Sequence, residues 1–413
     1  MSFFSKKIAW SWMLLVVALT VLITFMCTYV SMRNVAHQQQ NDAYEESYAA
    51  EDPTLTMVKQ LFEMNYIGEL PEIDDSLTLD GMIYAYVAAT GDPYARYMNP
   101  EEYSAYISSM QGDLVGIGVQ VIYDEVTGGI EIMLVMPDSP AEKLGLQTGD
   151  LIVGVEKLRC ETDGYEALVN AIAGKEGTDV RLTIRRDGTE LQMTATRARV
   201  KSLSVTYEML SDEKTGLIRI SEFNATTPPQ FKAAVDALQA AGATRLIYDM
   251  RNNPGGQLDS VLSVLSYLLP KDSVLIRVAD AQGGEVSYSD TEEVDHTVDL
   301  PMAVLINGNT ASAAELFTSC LRDYEKVTIV GELSYGKGCM QYMYGLPNGG
   351  ALSLTTRMYS PPSGINYDGI GITPDIEVSL SDEAAKLNPL KLTEENDDQL
   401  KAAIQAVADR GDK

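Results

Sequence analysis

From about Lys201 onward the chain alternates short apolar runs with helical stretches, and this alternation restricts the possible folds more than any other feature. Residues 216–223 (GLIRISEF), 244–250 (TRLIYDM), 301–308 (PMAVLING) and 326–332 (KVTIVGE) read as strands. Between them lie PPQFKAAVDALQAAG, QLDSVLSVLSYLL and TASAAELFTSCLRDY, read as helices; the first has Pro near its start and Gly at its end. Strand, helix and strand in succession imply a parallel or mixed sheet covered on its faces. The tail ENDDQLKAAIQAVADRGDK reads as an amphipathic helix.

A different pattern precedes this region. Residues 114–123 and 129–136 alternate in strand fashion around a turn at Thr127-Gly128-Gly129. SPAEKLGLQTGDLIVGV comes next, a short helix ending at Gly145, and then LVNAIAGKEGTDVRLTIRRDG, a helix leading into strands. In Gly116-Ile117-Gly118-Val119, Ser139-Pro140-Ala141 and Gly149-Asp150 the span resembles a PDZ domain. Glycines let successive backbone N–H groups converge on a terminal carboxylate, and the neighbouring strand edge can take an extended peptide.

Residues 53–110 show helical spacing, with Met57, Leu61 and Met64 on one face, followed by LDGMIYAYVAATGDPY and PEEYSAYISSM. Their default role is packing or dimerisation. Residues 34–52 are polar and read as a linker. Residues 8–32 carry no charge, and about 20 apolar residues span a bilayer as a helix. Lys6 and Lys7 precede that run, so the expectation is an uncleaved single-pass anchor with its amino end in the cytoplasm and the body outside. The fold class expected is therefore α+β multidomain: a transmembrane anchor (1–33), a linker and helical region (34–112), a PDZ β-sandwich-like domain (113–200), an α/β core with a mixed sheet (201–392) and a C-terminal helix (393–413).

Composition removes several functions. The net charge is −28, which opposes phosphate contacts and excludes an uncomplicated nucleic-acid binder. The chain has 2 histidines and 4 cysteines without a CxxC, so no His-rich or cysteine metal centre and no disulfide framework is expected. Cys27, Cys160, Cys320 and Cys339 read as single thiols. Acidic stretches such as Glu292-Glu293 lack the ligand spacing of a calcium loop and read as solvated surface. His37 lies in the linker and His296 in a polar loop, so chemistry needing a base near neutral pH must look elsewhere.

Three motifs offer it. Ser312 follows a strand across a tight Asn-Gly-Asn turn, where a hydroxyl would stand near unpaired N–H groups at a helix start. A serine nucleophile needs such donors for its oxyanion, although a serine here, taken alone, is more often a helix cap. Lys337 stands between Gly336 and Gly338 at the end of the next strand. An ordinary lysine has a pKa of about 10.4, so acting as a base near pH 7 requires a drop of roughly three units, which burial can supply. Gln341 could orient the amine. In RNNPGG, the N–H groups of Gly255 or Gly256 could form one half of an oxyanion hole, with Ala313 as the other.

Together these residues resemble a carboxy-terminal processing peptidase, also called a tail-specific protease, a family of PDZ-containing serine peptidases with a Ser-Lys pair. The resemblance covers about residues 50–385. It rests on Asp92-Pro93-Tyr94, the PDZ motifs, Arg251-Asn252-Asn253-Pro254-Gly255-Gly256, Ala311-Ser312-Ala313 with Glu315, Gly336-Lys337-Gly338 with Gln341, and Gly371-Ile372-Thr373-Pro374-Asp375. It implies Ser312 as nucleophile, Lys337 as general base, Gln341 as the residue positioning that base, no cofactor, and protein substrates recognised by a free carboxyl end. The helices flanking the core are compatible with a homodimer. One departure stands out: Ala173 precedes Gly174 where many relatives carry arginine, so coupling of docking to activity must be lost or rest on another residue such as Lys175. GELSYGK lacks the Ser or Thr that a P-loop needs next. S-x-x-K at Ser334–Lys337 has its companion K-T-G in the wrong order for a penicillin-binding fold. The alternative from another class is a catalytically silent PDZ scaffold that only binds protein tails.

Overall fold

The computed structural model describes Met57 and residues 75–124, 128–280, 284–289, 298–387 and 389–411. The anchor, the linker, most of the first helical stretch, Cys27, His37, Thr127 and His296 lie outside the described residues. Met1–Leu79 and Asp80–Lys413 form separate compact units, and every strand among the described residues belongs to the second.

Helix α1 (Asp75–Ala89) leads through Asp92-Pro93-Tyr94 to strand β1 (Arg96–Met98) and helix α2 (Pro100–Met110). Helix α2 occupies the span that PEEYSAYISSM predicts. Its start is fixed by Asn99, whose side chain accepts the Glu102 N–H at 2.9 Å while Glu102 accepts the Asn99 N–H at 3.1 Å. Tyr97 and Met98 are buried, so this region does more than the packing expected of surface helices: it supplies a strand to a sheet of the core.

The chain then enters the PDZ region through a two-stranded ladder, β2 (Asp113–Gly116) with β9 (Ala198–Lys201). Between them β3 (Val119–Asp124), β4 (Gly129–Val135), β5 (Leu151–Val155), β6 (Leu158–Arg159), β7 (Asp179–Arg186) and β8 (Thr189–Thr196) form one antiparallel six-stranded sheet. Where a β-sandwich-like domain was expected, the strands form one six-stranded sheet and a separate two-stranded ladder. The apolar alternation of residues 114–123 suggested one strand; Gly118, at φ 80°, breaks it into β2 and β3. Ser139 caps helix α3 (Pro140–Leu144) by accepting the Glu142 N–H at 3.1 Å, and Gly145 ends it in the left-handed region. Helices α4 (Cys160–Asp163) and α5 (Tyr165–Ile172) complete a core of Ile117, Ile130, Ile152, Leu168, Leu182 and Ile184.

The core sheet runs β10 (Val205–Met209), β11 (Thr215–Ile220), β12 (Arg245–Asp249), then β15 (Met302–Ile306), β16 (Val327–Gly331) and β19 (Ile376–Glu377). Every pairing is parallel except that of the edge strand β10, which makes the sheet mixed, as expected. Side chains alternate between its faces. Ile218, Tyr248, Val304 and Ile329 pack with helices α6 (Thr227–Ala240), α7 (Leu258–Leu268) and α8 (Ala313–Asp323). Leu217, Ile247, Leu305 and Val330 meet Leu400, Ala403 and Val407 of helix α9 (Asp398–Gly411). The tail helix therefore packs over the middle of one face of the sheet, against β12, β15 and β16. A second, antiparallel sheet holds β13 (Val274–Asp280), β14 (Glu285–Ser289), β17 (Cys339–Gly345) and β18 (Ala351–Ser360), with β1 paired to β18. The sequence pattern did not bring out this sheet.

Candidate active site

Three loops leave the carboxyl ends of the parallel strands β12, β15 and β16, the edge where open α/β sheets place their ligands. The loop after β12 is Arg251–Gly256 and the loop after β15 ends at Ser312. They are laced together. Asn252 Oδ1 accepts from the side-chain amides of Asn307 (3.0 Å) and Asn309 (2.9 Å), and its N–H donates to Asn307 Oδ1 at 2.9 Å. Thr310 Oγ1 donates to the Met250 carbonyl, and the Ala311 N–H donates to the Asn253 carbonyl at 2.9 Å.

This lacing forces Ser312 into φ 54°, ψ −117°, a conformation that non-glycine residues avoid at a cost of order 1–3 kcal/mol. The strained turn sets the serine at the head of α8. Gly255 packs directly beneath it, since a Cβ there would stand 2.8 Å from both the Ser312 Cβ and the Ala313 nitrogen. Of the two glycines expected to offer an N–H, Gly255 does not: its N–H is donated to Asn253 Oδ1 at 2.8 Å. The N–H groups of Gly256 and Ala313 meet no acceptor among the described residues, so these two remain as the pair of donors.

Glu315, one turn into α8, is fully buried, and its carboxylate gathers the third loop. Oε2 accepts the Ser312 N–H at 2.9 Å and the Lys337 N–H at 2.8 Å; Oε1 accepts the Gly336 N–H at 2.7 Å and the Ser334 hydroxyl. Ser334 in turn accepts the Ile372 N–H at 2.6 Å, and Asp375 accepts the Ile329 N–H at 2.8 Å, so Gly371–Asp375 brace the lysine loop from behind. The Tyr359 hydroxyl donates to the Lys337 carbonyl at 2.9 Å. Serine and lysine are thus tied to each other through Glu315.

The Lys337 side chain is half-buried and pairs with no carboxylate of the described residues. Burial pulls its pKa below the ordinary value against the opposite pull of Cys339, Asp368, Asp92 and Glu315. Gln341 gives its amide nitrogen to Thr355 Oγ1 at 3.1 Å and Cys339 Sγ at 3.5 Å, and no hydrogen bond joins it to Lys337. In the PDZ region, the carbonyls of Ile117 and Gly118 accept the Ala141 and Met136 N–H groups at 2.8 and 2.9 Å.

Residues 214–378 match the profile of peptidase family S41, and residues 131–186 match that of a PDZ domain. The carboxyl-terminal-processing protease of Synechocystis is 32% identical over 327 residues, 78% of this chain and 75% of its own. That of Picosynechococcus is 32% identical over 293 residues, 70% of each chain. The chain belongs to the S41 serine peptidases. A solved Bacteroides fragilis structure assigned to the S41 proteases shares the fold, with a TM-score of 0.57 at 18% identity over 83% of this chain and 93% of its own.

Within this S41 peptidase, Ser312, Lys337, Ala313 and the two glycines converge at one end of the sheet. Sequence reasoning named Glu315 and Tyr94 only as parts of motifs and gave them no role. The Ser312-x-x-Glu315 spacing, that of a capping box, was a legible signal for the first. Tyr359 carried no such signal. The cysteines Cys160, Cys320 and Cys339 are unpaired and buried, as expected of single thiols.

Proposed function

We propose that this peptidase is a membrane-anchored Ser-Lys endopeptidase acting on exported or loosely folded proteins. The observation that carries the reading is the suspension of the Ser312 and Lys337 backbones from one Glu315 oxygen, which holds a strained serine and an unpaired, half-buried lysine in a fixed relation. Ser312 Oγ attacks the peptide carbonyl carbon as neutral Lys337 takes its proton. The oxyanion is received by the Gly256 and Ala313 N–H groups, each worth about 10²–10³ in rate in comparable sites. The leaving amine takes the proton back from Lys337, and water then hydrolyses the acyl-enzyme. The loop Gly116–Val119 receives the substrate's terminal carboxylate, and the uncharged run 8–32 holds the body outside the cytoplasm.

The test uses purified full-length chain in detergent, as wild type and as Ser312→Ala, with a loosely folded protein ending in small apolar residues. Cleavage by wild type alone, seen by mass spectrometry, supports the reading. Cleavage by both variants would remove Ser312 from the chemistry. Tail binding without cleavage would leave the silent PDZ scaffold. Release of the chain from membranes by alkaline carbonate would remove the anchor.

A further inference from the structure

The segment between α1 and β1 reaches the lysine from outside both profile-matched spans. Lys337 Nζ sits over the Tyr94 ring, 4.8 Å from its centroid. The backbone carrying the ring is tied through Asp92 to the second sheet. The Tyr94 N–H donates to Asp92 Oδ1 at 2.9 Å, and the same Asp92 oxygen accepts the Thr355 hydroxyl of β18 at 3.2 Å.

The groups whose charge acts on the amine are Cys339, Asp368, Asp92 and Glu315, and all of them favour the ammonium form. Only exclusion of water favours the neutral amine. A wall that keeps water away without offering another negative charge is therefore what this lysine needs, and the aromatic face supplies one. The same face, negative at its centre, attracts a cation. As Oγ bonds to the carbonyl carbon, the π electrons move to oxygen and the serine proton moves to Nζ, so the ring gains a partner only as the transition state forms. Interactions stronger there than in the ground state are the ones that raise the rate.

We propose that Tyr94 is a positioning residue for Lys337, walling the amine from water before reaction and holding the ammonium formed during it. This inference deepens the Ser312–Lys337 reading and rests on it.

The experiment measures phosphonylation of the serine by a fluorophosphonate probe, in which the Oγ–P bond forms and fluoride leaves. Full-length wild type, Tyr94→Phe, Tyr94→Ala and Tyr94→Gln are compared between pH 5 and 10. Tyr94→Phe keeps the face, so its rate should stay within about two-fold of wild type with the same midpoint. Tyr94→Ala should shift the midpoint up by about one unit and slow labelling at pH 7 roughly tenfold. Tyr94→Gln, with a polar side chain of similar reach, gives the same shift and guards against an alanine variant that fails to fold. A uniform loss of rate in Ala and Gln with the wild-type midpoint would reduce Tyr94 to a structural role and overturn the proposal, as would a Phe variant as impaired as Ala. Equal labelling of wild type and Ser312→Ala would instead sink the Ser312 reading, and this inference with it.

Discussion

Ser312 and Lys337 donate their backbone N–H groups to the same oxygen, Glu315 Oε2, at 2.9 and 2.8 Å. Twenty-five positions apart in sequence, they are fixed relative to each other by main chain rather than by flexible side-chain contacts. A carboxylate can accept on all sides; an amide cannot, because half of it donates. Glu315→Gln therefore turns an NH₂ toward one pair of donors and leaves them unsatisfied in a buried place. We expect a loss of about 2–4 kcal/mol in urea unfolding and at least a 100-fold fall in peptidase rate. Wild-type behaviour in both measurements would show that the shared oxygen is incidental.

Lys337 should be a stability cost that activity requires. Burial lowers its pKa, so between the lowered value and the ordinary 10.5 the unfolded chain binds more protons than the native one, and stability rises with pH across that window. Below the window the penalty is present in full. Lys337→Met should consequently abolish cleavage while raising the melting midpoint at neutral pH by about 2–4 °C. A lower midpoint in differential scanning calorimetry would contradict this.

Gly255→Ala tests the contact beneath the serine. Gly255 lies at φ 98°, and an added methyl would sit 2.8 Å from the Ala313 nitrogen. The loop must shift, and with it the Ala313 donor. Cleavage should fall at least 100-fold with the fold retained by circular dichroism. Normal turnover would mean that this N–H takes no part in holding the oxyanion.

The buried Arg251 bridges Asp249 at 2.7 Å and Asp397 at 2.8 Å and so ties the glycine loop to the segment entering α9. Burial alone would raise the Asp249 pKa, but the guanidinium beside it holds it below the usual carboxylate range. Arg251→Met leaves two buried carboxylates facing each other and should lose about 3–5 kcal/mol in urea unfolding at pH 7. The triple change Arg251→Met, Asp249→Leu, Asp397→Leu should recover much of that. A single variant as stable as wild type would show that the network is dispensable.

Strands β11, β12, β15 and β16 were legible because each is largely buried on both faces and reads as a near-continuous apolar run: TRLIYDM became β12 and PMAVLING became β15. Ser312 and Lys337 were legible because strand ends and glycines mark where such side chains stand. The second sheet was not. Strand β18, ALSLTTRMYS, is only partly buried and mixes polar with apolar residues, so its identity comes from pairing with β1, β13 and β17 rather than from its own pattern. The same reason hid Tyr94, whose place beside the lysine depends on where β1 pairs, more than 250 positions along the chain. The loss of Gly255 from the oxyanion hole was equally hidden, because the occupation of its N–H by Asn253 is a matter of one side-chain rotamer.

The clamp on Arg251 also bears on synthesis. Asp397 leaves the ribosome after Ser312 and Lys337, and α9 with it, so the glycine loop lacks one of its anchors and the sheet face over β12, β15 and β16 stays bare while both residues are already made. A growing chain is therefore a protease in parts, and the last part to arrive belongs to none of the loops that do the cutting. Competence comes late, when the whole chain is complete.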